Sequence, residues 1–373
     1  SCPGARPGVA ARRGRLRALE PRHGVDFASN DYLGLANSSQ LNAAVRAALD
    51  RGVSIGSGGS RLLRGNDPEH EVLEAEAAKF FGAETALFFG GGFIANTAIF
   101  STLPARGDLI VYDELIHASA HDGMRLSKAD SVAARHNDPQ SVEDAIVAWR
   151  AGGGTGTPWI AVETLYSMDG DRAPLDALIA IADAHDGCLV IDEAHATGVF
   201  GDGGRGLGCH LEGRANVISL HTCGKALGVM GALVLAPRVM RDFLVNRARS
   251  FIYATAPSPL IAATVRAALE LLQREPQRCT ELHRKIALVA RELHVKTAHS
   301  TSGTHIQPII IGNDVAAVAL ADALKARGFD IRAIRPPTVP EGTARLRLTV
   351  TLNASDDDIR ALIDSIVELE ARA

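Results

Sequence analysis

The chain lacks the cysteine pattern of a disulfide framework or a zinc site. Its five cysteines, Cys2, Cys188, Cys209, Cys223 and Cys279, are odd in number, scattered and without a C-x-x-C spacing, so reduced thiols are expected. No apolar run approaches the roughly 18 residues of a membrane span, and no signal-peptide pattern opens the sequence. The first residue is Ser1 rather than Met, which reads as a trimmed start, and a soluble, cytoplasmic protein with no membrane partner is expected. There is also no block of like charge. The 39 basic residues nearly balance 43 acidic ones, for a net charge of −4, and only Arg12 to Arg22 is locally basic. This argues against a nucleic-acid partner. No internal repeat is present, and the only low-complexity tract is the loop Gly152–Gly156.

What is present is a large apolar fraction, 46% of 373 residues, enough for two or three folding units. Residues 1–33 read as an N-terminal arm, 34–274 as a large domain and 275–373 as a smaller one. Asp67-Pro68-Glu69 starts a helix, with Asp as cap and Pro at the first helical position; it should run to about Phe81 and stop at Gly82. Strands are expected at Thr85–Phe89, Leu109–Tyr112, Trp159–Val162, Cys188–Ile191, Val217–Leu220 and Ala232–Leu235, with a helix over Pro174–His185. Short apolar runs alternating with helices define an α/β fold with a mostly parallel sheet covered on both faces. Beyond the helical region near 260–295 the pattern changes to a smaller α+β unit. It comprises strand Ile306–Ile311, a helix from Asp314 to Arg327, strand Arg345–Val350 and a last helix from Ser355.

Several residue patterns carry chemistry. Lys225 follows the apolar run Val217–Leu220 and lies between Gly224 and Gly228. It is either a solvated surface cation or a lysine whose pKa burial lowers, suited to a Schiff base with an aldehyde cofactor. Asp192 leaves the apolar run Cys188–Ile191, 33 residues before Lys225, at the strand edge where open α/β sheets bind ligands. It could simply cap the following turn. Together, an aspartate and a lysine on neighbouring strand ends can grip opposite sides of one flat ring, the carboxylate keeping a pyridine nitrogen protonated. Gly90-Gly91-Gly92-Phe93, between a strand and a helix, makes either an anion site from free backbone N–H groups or a plain tight turn. Gly56–Arg61 is a second flexible loop, equally compatible with a ligand or a linker.

His117 and His121, four apart, could share a helix face as metal ligands, but no third ligand stands at a suitable spacing, so no metal is expected. A single His117 stacked on an aromatic cofactor fits better. Ser167 lies in the turn Tyr166–Asp171, at the sheet edge of Asp192. Arg335, in the stiff loop Arg335-Pro336-Pro337-Thr338-Val339-Pro340, suits bidentate capture of a carboxylate or a structural ion pair. Two other motifs fail. Asp192-Glu193-Ala194-His195 spells a helicase acidic box, yet the G-x-x-x-x-G-K-[ST] loop it needs upstream is missing. Gly201–Gly206 matches G-x-G-x-x-G without a strand before it or a helix directly after it, and reads as a loop.

From Asn30 to the C-terminal helix these residues resemble the α-oxoamine synthases, a fold-type I family of pyridoxal-phosphate enzymes. The resemblance implies that Lys225 holds the cofactor aldehyde, that Asp192 pairs the pyridinium nitrogen, and that His195 lies near the phenolic oxygen with Ser167 close by. His117 would stack on the ring, and Gly92, Phe93 and Thr222 would hold the phosphate. Thr255 would reach that phosphate from a partner subunit, which implies a homodimer with shared active sites. The segments Ala333–Pro340 and Gly342–Thr349 look most like the branch that opens biotin-ring assembly. That branch condenses L-alanine with a pimeloyl thioester on CoA or an acyl carrier protein. Arg335 would bind the alanine carboxylate and Asn30 would line the substrate site. A sibling condensation using glycine or serine, and a non-catalytic protein retaining the fold, are the alternatives. Two departures stand out. Cys223 replaces the bulky apolar residue common before the Gly-Lys pair, and the short arm gives no secure counterpart to the arginine the family sets near the acyl substrate, Arg6 being only a guess.

Overall fold

A computed structural model describes residue 19 and residues 21–372. Cys2, Arg6, Ala373 and the arm through residue 18 lie outside them. In chain order the elements are β1 (Val25–Asp26), α1 (Ser39–Asp50), α2 (Pro68–Phe81), β2 (Thr85–Phe89), α3 (Gly92–Thr102), β3 (Leu109–Asp113), α4 (Ala118–Arg125) and β4 (Asp130–Ala134). There follow α5 (Pro139–Ala151), β5 (Pro158–Glu163), α6 (Leu175–Ala184), β6 (Cys188–Asp192), β7 (Val217–Thr222), β8 (Ala232–Ala236), α7 (Arg238–Arg247), α8 (Arg249–Ile252), α9 (Pro259–Arg274) and α10 (Gln277–Lys296). The last are β9 (Ile306–Gly312), α11 (Asp314–Ala326), β10 (Phe329–Asp330), β11 (Arg332–Ile334), β12 (Ala344–Thr349) and α12 (Asp356–Glu370). Two compact units divide the described residues: 30–285 with 351–353, and those before 30 with 286–350 and 354–372.

The larger unit is built on a seven-stranded sheet of order β2-β8-β7-β6-β5-β3-β4, in which only β8 runs antiparallel to its neighbours. The central strands are apolar throughout because both faces are covered. Along β6, Leu189 and Ile191 enter one core with Val162 and Leu178, while Val190 enters the other with Ile99 and Val234. Expected and observed strands agree to within two residues. The exception is β4, whose residues Asp130–Ala133 are exposed at the sheet edge and carry no apolar run to announce them. Chain-end chemistry sets the helices. Asp67 accepts from Glu69 N at 3.0 Å, Pro68 opens α2, and Gly82 ends it in the left-handed region at φ 87°.

The turn after β7 is closed by Cys223 N on Gly231 O and Val229 N on Cys223 O, both at 2.9 Å. Gly228 takes φ 66° there, and a Cβ on it would stand 2.4 Å from Ala36 N and 2.6 Å from Leu35 C. Both the dihedral and the backbone approach require glycine. Gly228→Ala should therefore destabilise the unit by about 2 kcal/mol or more, read as a lower denaturant midpoint. An unchanged midpoint would contradict this packing.

In the smaller unit β11-β12-β9 form an antiparallel sheet, and β1 pairs with β10 in parallel. Asn313 caps α11 by accepting from Val315 N and Ala316 N, and a Ser355–Asp358 capping box starts α12. Arg335 follows β11 at the head of the proline loop. It is half-buried, with its carbonyl accepting from Thr338 N at 3.0 Å. No helix among the described residues is long and apolar enough to cross a membrane.

Candidate active site

The carboxyl ends of β5, β6 and β7 and the amino ends of α3 and α4 converge in the larger unit. Asp192 ends β6 and is 7% exposed. Its Oδ2 accepts from Asn96 Nδ2 at 2.8 Å and its Oδ1 from Ala194 N at 2.9 Å. Asn96 projects from α3, and its Nδ2 also donates to Ser119 Oγ at 3.0 Å. Ser119 Oγ in turn lies 2.7 Å from His117 Nδ1, so one buried amide ties the aspartate to the histidine. His117 caps α4 by accepting from Ser119 N, and one side of it is open to solvent. The chain packed against its ring lowers its pKa, the Lys225 ammonium adds to this, and the Asp192 charge opposes it. A neutral ring suits stacking.

Lys225 sits three residues beyond β7, in the turn that Gly228 closes, and is half-buried rather than enclosed. Its Nζ is 2.8 Å from His195 Nε2, His195 Nδ1 is 2.6 Å from the Tyr32 hydroxyl, and that hydroxyl donates to Asn30 Oδ1 at 3.1 Å. With Lys225 as donor, His195 and Tyr32 each give one proton and accept one, and Asn30 Oδ1 accepts at the end of the chain. The ring nitrogen facing Lys225 then carries the lone pair.

At the other end of the site, α3 begins at Gly92 after the N-cap Gly91, and no side chain caps it. Its first N–H groups, including those of Gly92 and Phe93, therefore have no intrahelical partner. A Cβ on Gly92 would stand 3.6 Å from Thr222 Oγ1, so a hydroxyl and a helix N-terminus share this corner. Ser167 is partly buried in the turn closed by Tyr166 N on Asp171 O at 2.9 Å. Thr255 is exposed, on a segment tied to the loop at 54–60 through Ala256 N on Gly59 O and Ser57 Oγ on Pro257 O. His121 turns its ring edge to Tyr112 instead of joining His117. Arg335 belongs to the smaller unit.

Four contributors carried no motif. Asn96 is the one polar residue among the buried positions of α3, beside Ala95, Ala98, Ile99 and Phe100. Glu163 ends β5 as Asp192 ends β6, and the two pair in register. Its Oε1 has no hydrogen-bond partner; burial, then the Asp192 charge, push its pKa up to about 8. Both effects favour the neutral form of Glu163. Tyr32 and Ser119 act only through partners distant in sequence. Cys223 is fully buried, and burial pushes its thiol up, so it is a packing residue and no nucleophile.

The profile of the aminotransferase class I and II family matches residues 22–366. An 8-amino-7-oxononanoate synthase of Chromobacterium violaceum is 42% identical over 93% of this chain and 89% of its own. One of Methylobacterium nodulans is 41% identical over 97% and 91%. Among solved structures, a serine palmitoyltransferase of Sphingomonas wittichii superposes with a TM-score of 0.87 at 27% identity, covering 94% of this chain and 88% of that one. The 8-amino-7-oxononanoate synthase of Francisella tularensis gives 0.78 at 29%, covering 94% and 98%. The chain belongs to the aminotransferase class I and II family, with the fold-type I architecture, and is a pyridoxal-phosphate-dependent acyltransferase. Its curated relatives place it beside the 8-amino-7-oxononanoate synthases of biotin synthesis.

The residues present fit the cofactor. An amine, a carboxylate held by two donors, and an uncapped helix N-terminus beside a hydroxyl match its aldehyde, ring nitrogen and phosphate in chemistry.

Proposed function

We propose that the protein condenses L-alanine with a pimeloyl thioester, on CoA or an acyl carrier protein, to give 8-amino-7-oxononanoate, CO₂ and the free thiol. The observation that carries this is the pairing of Lys225, tied to His195 at 2.8 Å, with Asp192 on the adjoining strand end, in a chain 42% identical to a named synthase of that ketone.

Pyridoxal phosphate, when bound, supplies the electron sink for the negative charge that develops at the amino-acid α-carbon. Lys225 would hold the cofactor aldehyde and, as a free amine, would take the α-proton and later return one. Asp192, which accepts from Asn96 and the Ala194 N–H, holds the proton on the ring nitrogen. His117 lies against the ring, and Gly92, Phe93 and Thr222 take the phosphate. His195, oriented by Tyr32, polarises the thioester carbonyl as the new carbon–carbon bond forms. Ser167 supports the phenolic side, Arg335 receives the alanine carboxylate and Asn30 lines the substrate site. Thr255 reaches the phosphate from a second copy, so the working unit is a homodimer. The exposure of Thr255 supports that assignment.

The fold similarity to a serine palmitoyltransferase favours a second reading, with serine as the amino acid. Thiol release from pimeloyl-CoA, measured with alanine, glycine and serine in parallel, separates them. Alanine is expected to give the largest kcat/KM; a preference for glycine or serine would overturn the alanine assignment.

A further inference from the structure

His136, just beyond β4, lies between two carboxylates of the larger unit. Its Nδ1 is 2.8 Å from Asp113 Oδ1 and its Nε2 is 2.6 Å from Asp171 Oδ2. The two acids belong to different loops of the site. Asp113 ends β3 and shapes the turn into α4, its Oδ1 accepting from Leu115 N and its carbonyl from Ile116 N, both at 2.9 Å. The next residue is His117. Asp171 closes the turn after β5, where its carbonyl accepts from Tyr166 N and Gly170 N donates to Tyr166 O, both at 2.9 Å. Ser167 lies inside that turn.

Asn137 doubles the link. Its N–H donates to Asp113 Oδ2 at 2.8 Å and its Nδ2 to Asp171 Oδ2 at 2.7 Å. It does so in the left-handed region, at φ 52°, which asparagine tolerates better than most residues. The Tyr166 ring meets the imidazole edge-on at 4.5 Å.

We propose that His136 is a positioning residue: as an imidazolium shared by Asp113 and Asp171, it holds the His117 turn and the Ser167 turn at one fixed separation. A neutral imidazole donates from only one nitrogen, so it would leave one carboxylate facing a lone pair. The charged groups facing the ring are Asp113 and Asp171, while Glu114 accepts the His136 backbone N–H at 2.9 Å. Burial alone would lower the pKa of this ring; the hydrogen bonds to Asp113 and Asp171 override it and raise it to about 10. Because that value lies above the ordinary 6.5, the clamp's contribution to stability is complete below pH 6.5 and is lost as pH rises through about 10. The link to catalysis rests on the proposed contacts of His117 and Ser167 with the cofactor.

The test compares wild type with His136→Gln. In cofactor-free protein, melting is followed between about pH 6 and pH 11. The wild-type advantage should be largest at the acid end and shrink toward the alkaline end. In the loaded enzyme, the visible circular dichroism of the bound cofactor should change, and kcat should fall by about 10- to 100-fold with KM little altered. Asp171→Asn, which spares the His136–Asp113 contact, should reproduce the pattern and decides the matter if His136→Gln does not fold. A stability gap independent of pH, or wild-type dichroism and kcat in both variants, would overturn the proposal. His117→Ala is measured alongside. Unchanged dichroism there counts against the stacking assignment of His117, whereas the pH profile still judges the clamp.

Discussion

Lys225→Ala is expected to lose turnover by at least roughly 10⁴-fold, the upper range for a positioned acid–base group, together with the visible band of the lysine-bound cofactor. The fold should survive, because Lys225 is half-buried in a turn whose closure rests on backbone bonds from Cys223, Gly228 and Val229. Two local consequences distinguish this loss from general damage. His195 loses its partner at 2.8 Å, and His117 loses a positive neighbour that depresses its pKa. The His117 ring should then titrate at higher pH, which nuclear magnetic resonance of the imidazole protons can follow. Retention of both the visible band and turnover would sink the assignment.

Asp192→Asn should cost about three orders of magnitude in kcat. The substitution keeps the shape but removes the charge, and one unit charge about 4 Å away at an effective dielectric near 20 is worth about 4 kcal/mol. The amide can still accept from either Asn96 or the Ala194 N–H, but not in the same way from both. An added stability loss of about 1 kcal/mol is therefore expected. Glu163 reports the change independently. Its pKa is pushed up to about 8 by burial and then by the Asp192 charge, so removal of that charge should lower it. The carboxyl stretching band of the protein measures this. Wild-type kcat in a folded Asp192→Asn variant would show that the carboxylate holds no proton on the ring.

The backbone frame and the ends of the site were legible because each rests on local rules. Asp67-Pro68 and Gly82 bound a helix by capping chemistry alone, and the central strands declare themselves as unbroken apolar runs. Asp192 and Lys225 were readable as a pair because each follows such a run, and adjacent parallel strands bring their ends together. The edge strand Asp130–Ala134 was missed, since an exposed edge needs no apolar pattern.

By itself, then, the sequence determined the α/β fold, the glycine corner before α3, and a lysine and an acid following neighbouring strands. Periodicity and turn chemistry act over a few residues and leave a direct mark in the chain. Only the tertiary structure decided what orients those groups: Asn96 between Asp192 and Ser119, Tyr32 behind His195, and His136 between Asp113 and Asp171. A hydrogen bond between residues tens to more than a hundred positions apart leaves no local pattern. It exists only once packing brings donor and acceptor within about 3 Å.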